Sequence, residues 1–159
     1  MIFVTVGTDG PFDRLIKVVD RWAAENERDD IFAQIGEGAW KPEHVKWAEL
    51  LDPTEFAKRF QEASVIIGHA GMGTILTALS SGKIILVMPK MASLGEHRNE
   101  HQMATARHLL DLDKVNVAFD EEELEEVLRR LDDLAVRDEV GPYAEKALTD
   151  GIKDFIHQG

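Results

Sequence analysis

Two apolar runs without polar alternation, Val65-Ile66-Ile67 and Ile84 to Met88, frame the pattern His69-Ala-Gly-Met-Gly-Thr74. Between them Ile75, Leu76 and Leu79 recur at helical spacing, and Gly82 stops the helix. Strand, glycine turn, helix, glycine stop and strand make one βαβ unit with parallel strands. Strands that are apolar throughout belong to a sheet covered on both faces. The right-handed crossover places the glycine turn at the carboxyl edge of that sheet, where open α/β folds bind ligands. The expected fold is therefore α/β, with a Rossmann-like, doubly wound and mostly parallel sheet.

The turn has its own chemistry. Gly71 and Gly73 are expected to allow positive φ and close approach of a ligand to the main chain. The N–H groups around Met72, Gly73 and Thr74 have no partner inside the helix they open. With the helix dipole they make an anion site, most simply for phosphate, to which Thr74 adds a hydroxyl. A tight turn with no ligand is the other reading of the same glycines. The pattern is neither G-x-G-x-x-G nor a Walker loop.

The rest of the chain repeats the alternation. Ile2 to Val6 and Ile31 to Ile35 read as strands, ending at Gly7-Thr8 and at Gly36. Phe12 to Glu25 reads as a helix with Leu15, Ile16, Val19 and Trp22 inward. His44 to Leu50 reads as a third strand, with Val45, Trp47 and Leu50 on one face. Asp52 caps a helix with Pro53 at its first position. Lys90 to Arg98 is a loop, followed by a helix from about Asn99 to Leu110. There Asn99 is the expected N-cap, with Gln102 completing a loose capping box. Val115 to Phe119 is a short strand, Asp120 caps an acidic helix, and Pro142 opens a final one carrying Phe155 and Ile156. Five or six strands follow, in one domain spanning 1–159.

Composition narrows the function. A net charge of −12 makes nucleic acid and anionic lipid poor partners. With no cysteine there is neither a disulfide framework nor a cysteine metal site. No apolar run approaches the roughly 20 residues that span a bilayer, and the first strand lacks the basic flank of a signal peptide. A cytoplasmic location is expected. His97 and His101 stand four apart, but Arg98 occupies the place of the H-E-x-x-H glutamate, so no metal is expected.

His69-Ala-Gly-Met-Gly-Thr74, Gly82, Val87-Met-Pro89, Gly95-Glu-His97 and His101-Gln102, in this order and spacing, resemble the C-terminal domain of glycosyltransferase family 28. The opening Met1-Ile-Phe-Val-Thr-Val-Gly-Thr8 is similar too. The likeness is strongest to the free-standing small subunit of two-part glycosyltransferases, of the dolichol-linked chitobiose and bacterial exopolysaccharide types. It implies the C-terminal half of a GT-B enzyme and an inverting transfer from a UDP-sugar, with no further cofactor. It also implies a membrane-anchored partner subunit that binds a lipid-linked saccharide and supplies the base, with recruitment of this chain to the inner face of the membrane.

By the same resemblance Gly71, Met72, Gly73 and Thr74 hold the diphosphate, and Gly7, Thr8 and Gly36 line the cleft. Glu96, His97 and Gln102 lie around the sugar, with Asn99 beside them. His69 either contacts the ligand or orders the turn, and the two roles are compatible. Many family members carry a glutamate for the ribose hydroxyls where this chain has Thr77, a weaker partner. Trp22, Trp40, Trp47, Phe155 and Ile156 are candidates for the partner contact, Trp22 fitting core packing better. Two other classes stay open: a non-catalytic partner or regulatory module that keeps the fold, and a dinucleotide-dependent enzyme. The Gly-Thr-Asp-Gly-Pro run after the first strand argues against the latter.

Overall fold

A computed structural model describes residues 1–110 and 115–134. The helix expected from Pro142, with Phe155 and Ile156, lies outside the described residues. Six parallel strands form one sheet: β1 (Ile2–Thr5), β2 (Ile31–Gln34), β3 (Lys46–Ala48), β4 (Val65–His69), β5 (Ile84–Met88) and β6 (Asn116–Val117). Their spatial order is β3-β2-β1-β4-β5-β6. The helices are α1 (Asp13–Glu25), α2 (Pro53–Glu62), α3 (Met72–Ser80), α4 (His101–Leu110), α5 (Glu121–Arg129) and the single turn α6 (Leu131–Leu134).

The lack of alternation in the strands follows from two cores. Ile2, Val4, Val65, Ile67, Leu86 and Met88 face one layer, packed against α1 and α5. Phe3, Ile66, Ile85 and Val87 face the other, against α2, α3 and α4. Phe3 meets Phe56 and Phe60 of α2 edge-on, with centroids 5.2 and 6.4 Å apart. Burying both faces of each central strand is the main stabilising term.

The helix ends obey local chemistry. Asp52 accepts the Glu55 N–H at 2.8 Å with Pro53 at the first helical position, and Asp120 accepts the Glu123 N–H at 2.8 Å. Gly82, at φ +66°, ends α3: its N–H reaches Leu79 and the Lys83 N–H reaches Ala78, the paired bonds of a Schellman turn.

Three expectations need correction. Gly71 has φ −88°, and Gly73 lies inside α3, so neither uses a positive φ. β3 is only three residues long, and its expected common face splits: Val45 is buried, while Trp47 and Leu50 are exposed. It is an edge strand, where one side has no ladder to order it. Asn99 does not cap α4 with Gln102. Its side chain accepts the His101 N–H at 2.9 Å, the helix starts two residues later, and Gln102 points into the protein.

Strand order reverses between β1 and β4, so the loops leaving their carboxyl ends diverge to opposite faces. That divergence opens a cleft at the switch point.

Candidate ligand cleft

The cleft has a volume of about 280 Å³. Gly7, Thr8 and Asp9 from the β1–α1 loop line one side, and His69, Gly71, Gly73 and Thr74 from the β4–α3 turn the other. Lys90 and Gln102 close it behind β5, and Leu50, Leu51 and Phe56 form an apolar end beyond β3.

Its floor is a buried polar network. The Thr5 hydroxyl donates to Gln34 Oε1 at 2.7 Å, and Gln34 Nε2 donates to the Gly7 and Glu49 carbonyls at 3.2 and 3.1 Å. This ties the carboxyl ends of β1 and β2 to the segment after β3. Satisfied buried amides of this kind cost little and hold a unique geometry.

The α3 N-terminus opens into the cleft. No side chain caps it, and the Met72, Gly73 and Thr74 N–H groups find no acceptor among the described residues. A Cβ on Gly73 would meet nothing within 4 Å, so this residue faces open space. The Thr74 hydroxyl makes no hydrogen bond among the described residues and also lines the cleft. Gly71 is glycine for another reason: an added Cβ would sit 2.0 Å from His69 Cε1. Gly7, at φ +79°, crowds the same ring, with a Cβ position 2.6 Å from Nε2. The imidazole is thus packed between two glycines. Burial, then the charges of Lys90 and His97, push its pKa down to about 4.

Other expected site residues are placed differently. Gly36, at φ +88°, packs against Pro11 and donates to Glu49, shaping the loop rather than lining the cleft. Met72 is half-buried against the α3 core layer. Thr77 is exposed on α3, its hydroxyl donating to the Gly73 carbonyl at 2.7 Å. Glu96 is bound at both oxygens by Arg14, at 2.9 and 3.0 Å, and also accepts the Met91 N–H. The His97 ring stands 3.7 Å from the Asp9 carboxylate, and Asn99 is taken up by the His101 N–H. His101 begins α4, so it shares no helix face with His97.

Lys90, read from the sequence only as the start of the Lys90–Arg98 loop, lines the cleft. Its side chain is 1% exposed, its Nζ donates to the Gly10 carbonyl at 3.1 Å, and burial lowers its pKa. A lysine straight after the Pro89 that ends a buried strand is the signal that could have given it a site role. Trp22 is core, whereas Trp40 and Trp47 are each 36% exposed.

The family model of the glycosyltransferase family 28 C-terminal domain matches residues 1–158. The chain belongs to this family. Its fold is that of the C-terminal half of GT-B glycosyltransferases. A glycotransferase of kitacinnamycin superposes with a TM-score of 0.62 at 17% identity, over 99% of this chain and 42% of that one. MurG of Acinetobacter baumannii gives 0.60 at 20% identity, over 96% and 49%. Os79 from O. sativa, in complex with UDP, gives 0.60 at 14% identity, over 98% and 35%. The family 28 domain thus spans less than half the length of each of these neighbours. A comparison with curated proteins found no match. Among the described residues of the domain, no helix is long and apolar enough to cross a membrane.

Proposed function

We propose that residues 1–159 form the UDP-sugar-binding lobe of an inverting hexosyltransferase that works in exopolysaccharide or glycan-precursor synthesis. A membrane-anchored partner lobe then presents a lipid-linked saccharide and supplies the base. The observation that carries the reading is the uncapped α3 N-terminus, which opens into a cleft at the switch point of the sheet.

The diphosphate fits there. The Met72, Gly73 and Thr74 N–H groups and the Thr74 hydroxyl donate to phosphoryl oxygens. Lys90 retains two unused N–H donors after its bond to Gly10. As the sugar departs, charge grows on the diphosphate, and these fixed donors stabilise it without reorganising. The apolar end at Leu50, Leu51 and Phe56 suits the face of a base. The structural neighbour Os79 holding UDP supports the choice of nucleotide. Gly7 and Thr8 line the side of the cleft that a partner lobe would face. His97 would reach a sugar only past Asp9, and Glu96 is held away from one by Arg14.

The test is calorimetric titration of the chain with UDP, ADP and NAD. Binding of UDP in preference to the other two is expected, and its loss in a folded Gly73→Asp variant is expected with it. Preference for NAD, or undiminished UDP affinity in the variant, refutes the reading. A non-catalytic module is the second reading, favoured by Thr77, whose hydroxyl is committed to Gly73. Sugar transfer by the chain together with its partner would exclude it.

A further inference from the structure

Gln102 has no freedom to turn its amide over. Its Oε1 lies 3.2 Å from the Ala70 nitrogen and 3.0 Å from the Lys90 nitrogen, at the ends of β4 and β5. Both are backbone N–H groups, which only donate, so the atom facing them is the oxygen. The NH₂ group therefore faces His69 Nδ1, 3.1 Å away. An NH₂ donates, so Nδ1 must be the acceptor and bears no proton. In a neutral ring the proton then resides on Nε2.

Nε2 has no partner among the described residues, yet it is not sealed from solvent, and its ring lines the cleft between Gly7 and Gly71. We propose that Gln102 is a positioning residue that locks His69 as the neutral Nε2–H tautomer and so presents one fixed donor to a ligand oxygen in the cleft. The role for that oxygen, a phosphoryl or sugar oxygen of the nucleotide, rests on the reading above. The tautomer lock itself does not.

The surroundings on balance disfavour a charged ring, burial being the largest cause. Lys90 and His97 disfavour a positive ring and Asp9 favours one, while burial outweighs the latter. A donor on Nδ1 also stabilises only the neutral ring. A charged imidazolium would bring two N–H groups face to face at Gln102.

The experiment is long-range ¹H–¹⁵N correlation on the full chain labelled at histidine, with a Gln102→Glu variant alongside. In the unliganded wild type, one tautomer with a bare Nδ1 is expected for His69 from neutral pH down to about pH 5. The substituted carboxylate keeps an acceptor for Ala70 and Lys90 but turns its second oxygen to Nδ1. The variant's ring is then expected to carry its proton on Nδ1 at about pH 9 and to titrate higher than in the wild type. A tautomer mixture in the wild type, or an unchanged ring in a folded variant, overturns the lock. Addition of UDP should shift the Nε2 resonance, and at about pH 9 the variant should bind UDP roughly tenfold more weakly. Tight UDP binding that leaves Nε2 unmoved overturns the presentation of the donor. Absence of UDP binding refutes the nucleotide reading instead, and the lock then stands or falls on the unliganded spectra.

Discussion

A Cβ on Gly71 would lie 2.0 Å from His69 Cε1, 2.7 Å from Nδ1 and 2.8 Å from Nε2. Ordinary carbon contacts are about 3.5–4.0 Å, so the ring must retreat by roughly 1.5 Å to admit Gly71→Ala. It cannot do so freely, because Gly7 backs it on the far side and Gln102 holds Nδ1. The backbone at Gly71, φ −88°, is one that alanine adopts without strain. The cost is therefore overpacking alone, about 1–3 kcal/mol. Removing the ring should remove that cost. In a cycle of Gly71→Ala, His69→Ala and the double variant, read by urea unfolding, the coupling should be about 1–3 kcal/mol in favour of the double variant. Gly7→Ala is the internal control. At φ +79° it should stay destabilising by about 1 kcal/mol even with the ring gone, because its backbone is strained as well as crowded. Equal costs of Gly71→Ala with and without the His69 ring, within about 0.5 kcal/mol, would refute the reasoning.

Other expectations follow from the same geometry. Gly73→Ala should leave stability unchanged or raise it by about 0.5–1 kcal/mol, since its Cβ meets nothing, while UDP affinity measured by calorimetry falls. His69 has a folded pKa of about 4, below its ordinary unfolded value, so its share of stability is fully present above that unfolded value and is lost as pH falls. By about pH 5 that loss amounts to roughly 2 kcal/mol in urea unfolding, and the His69→Ala variant should not show it. Asp20, 4% exposed, accepts the Glu43, His44 and Val45 N–H groups. Asp20→Ala should cost about 3 kcal/mol or more by leaving buried donors unpaired. Glu96→Gln should cost about 2 kcal/mol by weakening the paired bonds to Arg14, and should speed hydrogen exchange at Met91.

What was legible in the sequence, and what was not, divides along physical lines. The central strands were readable because burial on both faces removes alternation, and Asp52, Pro53, Asp120 and Gly82 were readable because caps act within four residues. The third strand was overextended because an edge strand has little burial to impose a period. The α3 turn was readable as a donor site, but the reason for Gly71 was not. That reason is a ring held from across the sheet, and no glycine pattern encodes it. Arg14 and Glu96 are 82 residues apart, and Asp20 reaches the segment before β3 over more than 20. Nothing local announces such pairs.

The same contrast explains why a motif of polar residues does not by itself name the groups that touch a ligand. Around this cleft they separate by the hydrogen-bonding capacity they have left. Gln102 has its oxygen and one N–H engaged, Glu96 has both oxygens engaged, and Thr77 has its proton on Gly73. These groups hold the frame. The first N–H groups of α3, the Thr74 hydroxyl, two Lys90 protons and His69 Nε2 remain unmatched around one volume. These unmatched donors outnumber Asp9, the one carboxylate among the described residues that lines the cleft, and call for a ligand rich in oxygen and negative charge, which is why the net charge of −12 does not argue against a nucleotide here. The acidic surface sets what the chain repels at a distance, and the donors left over at the switch point set what it holds.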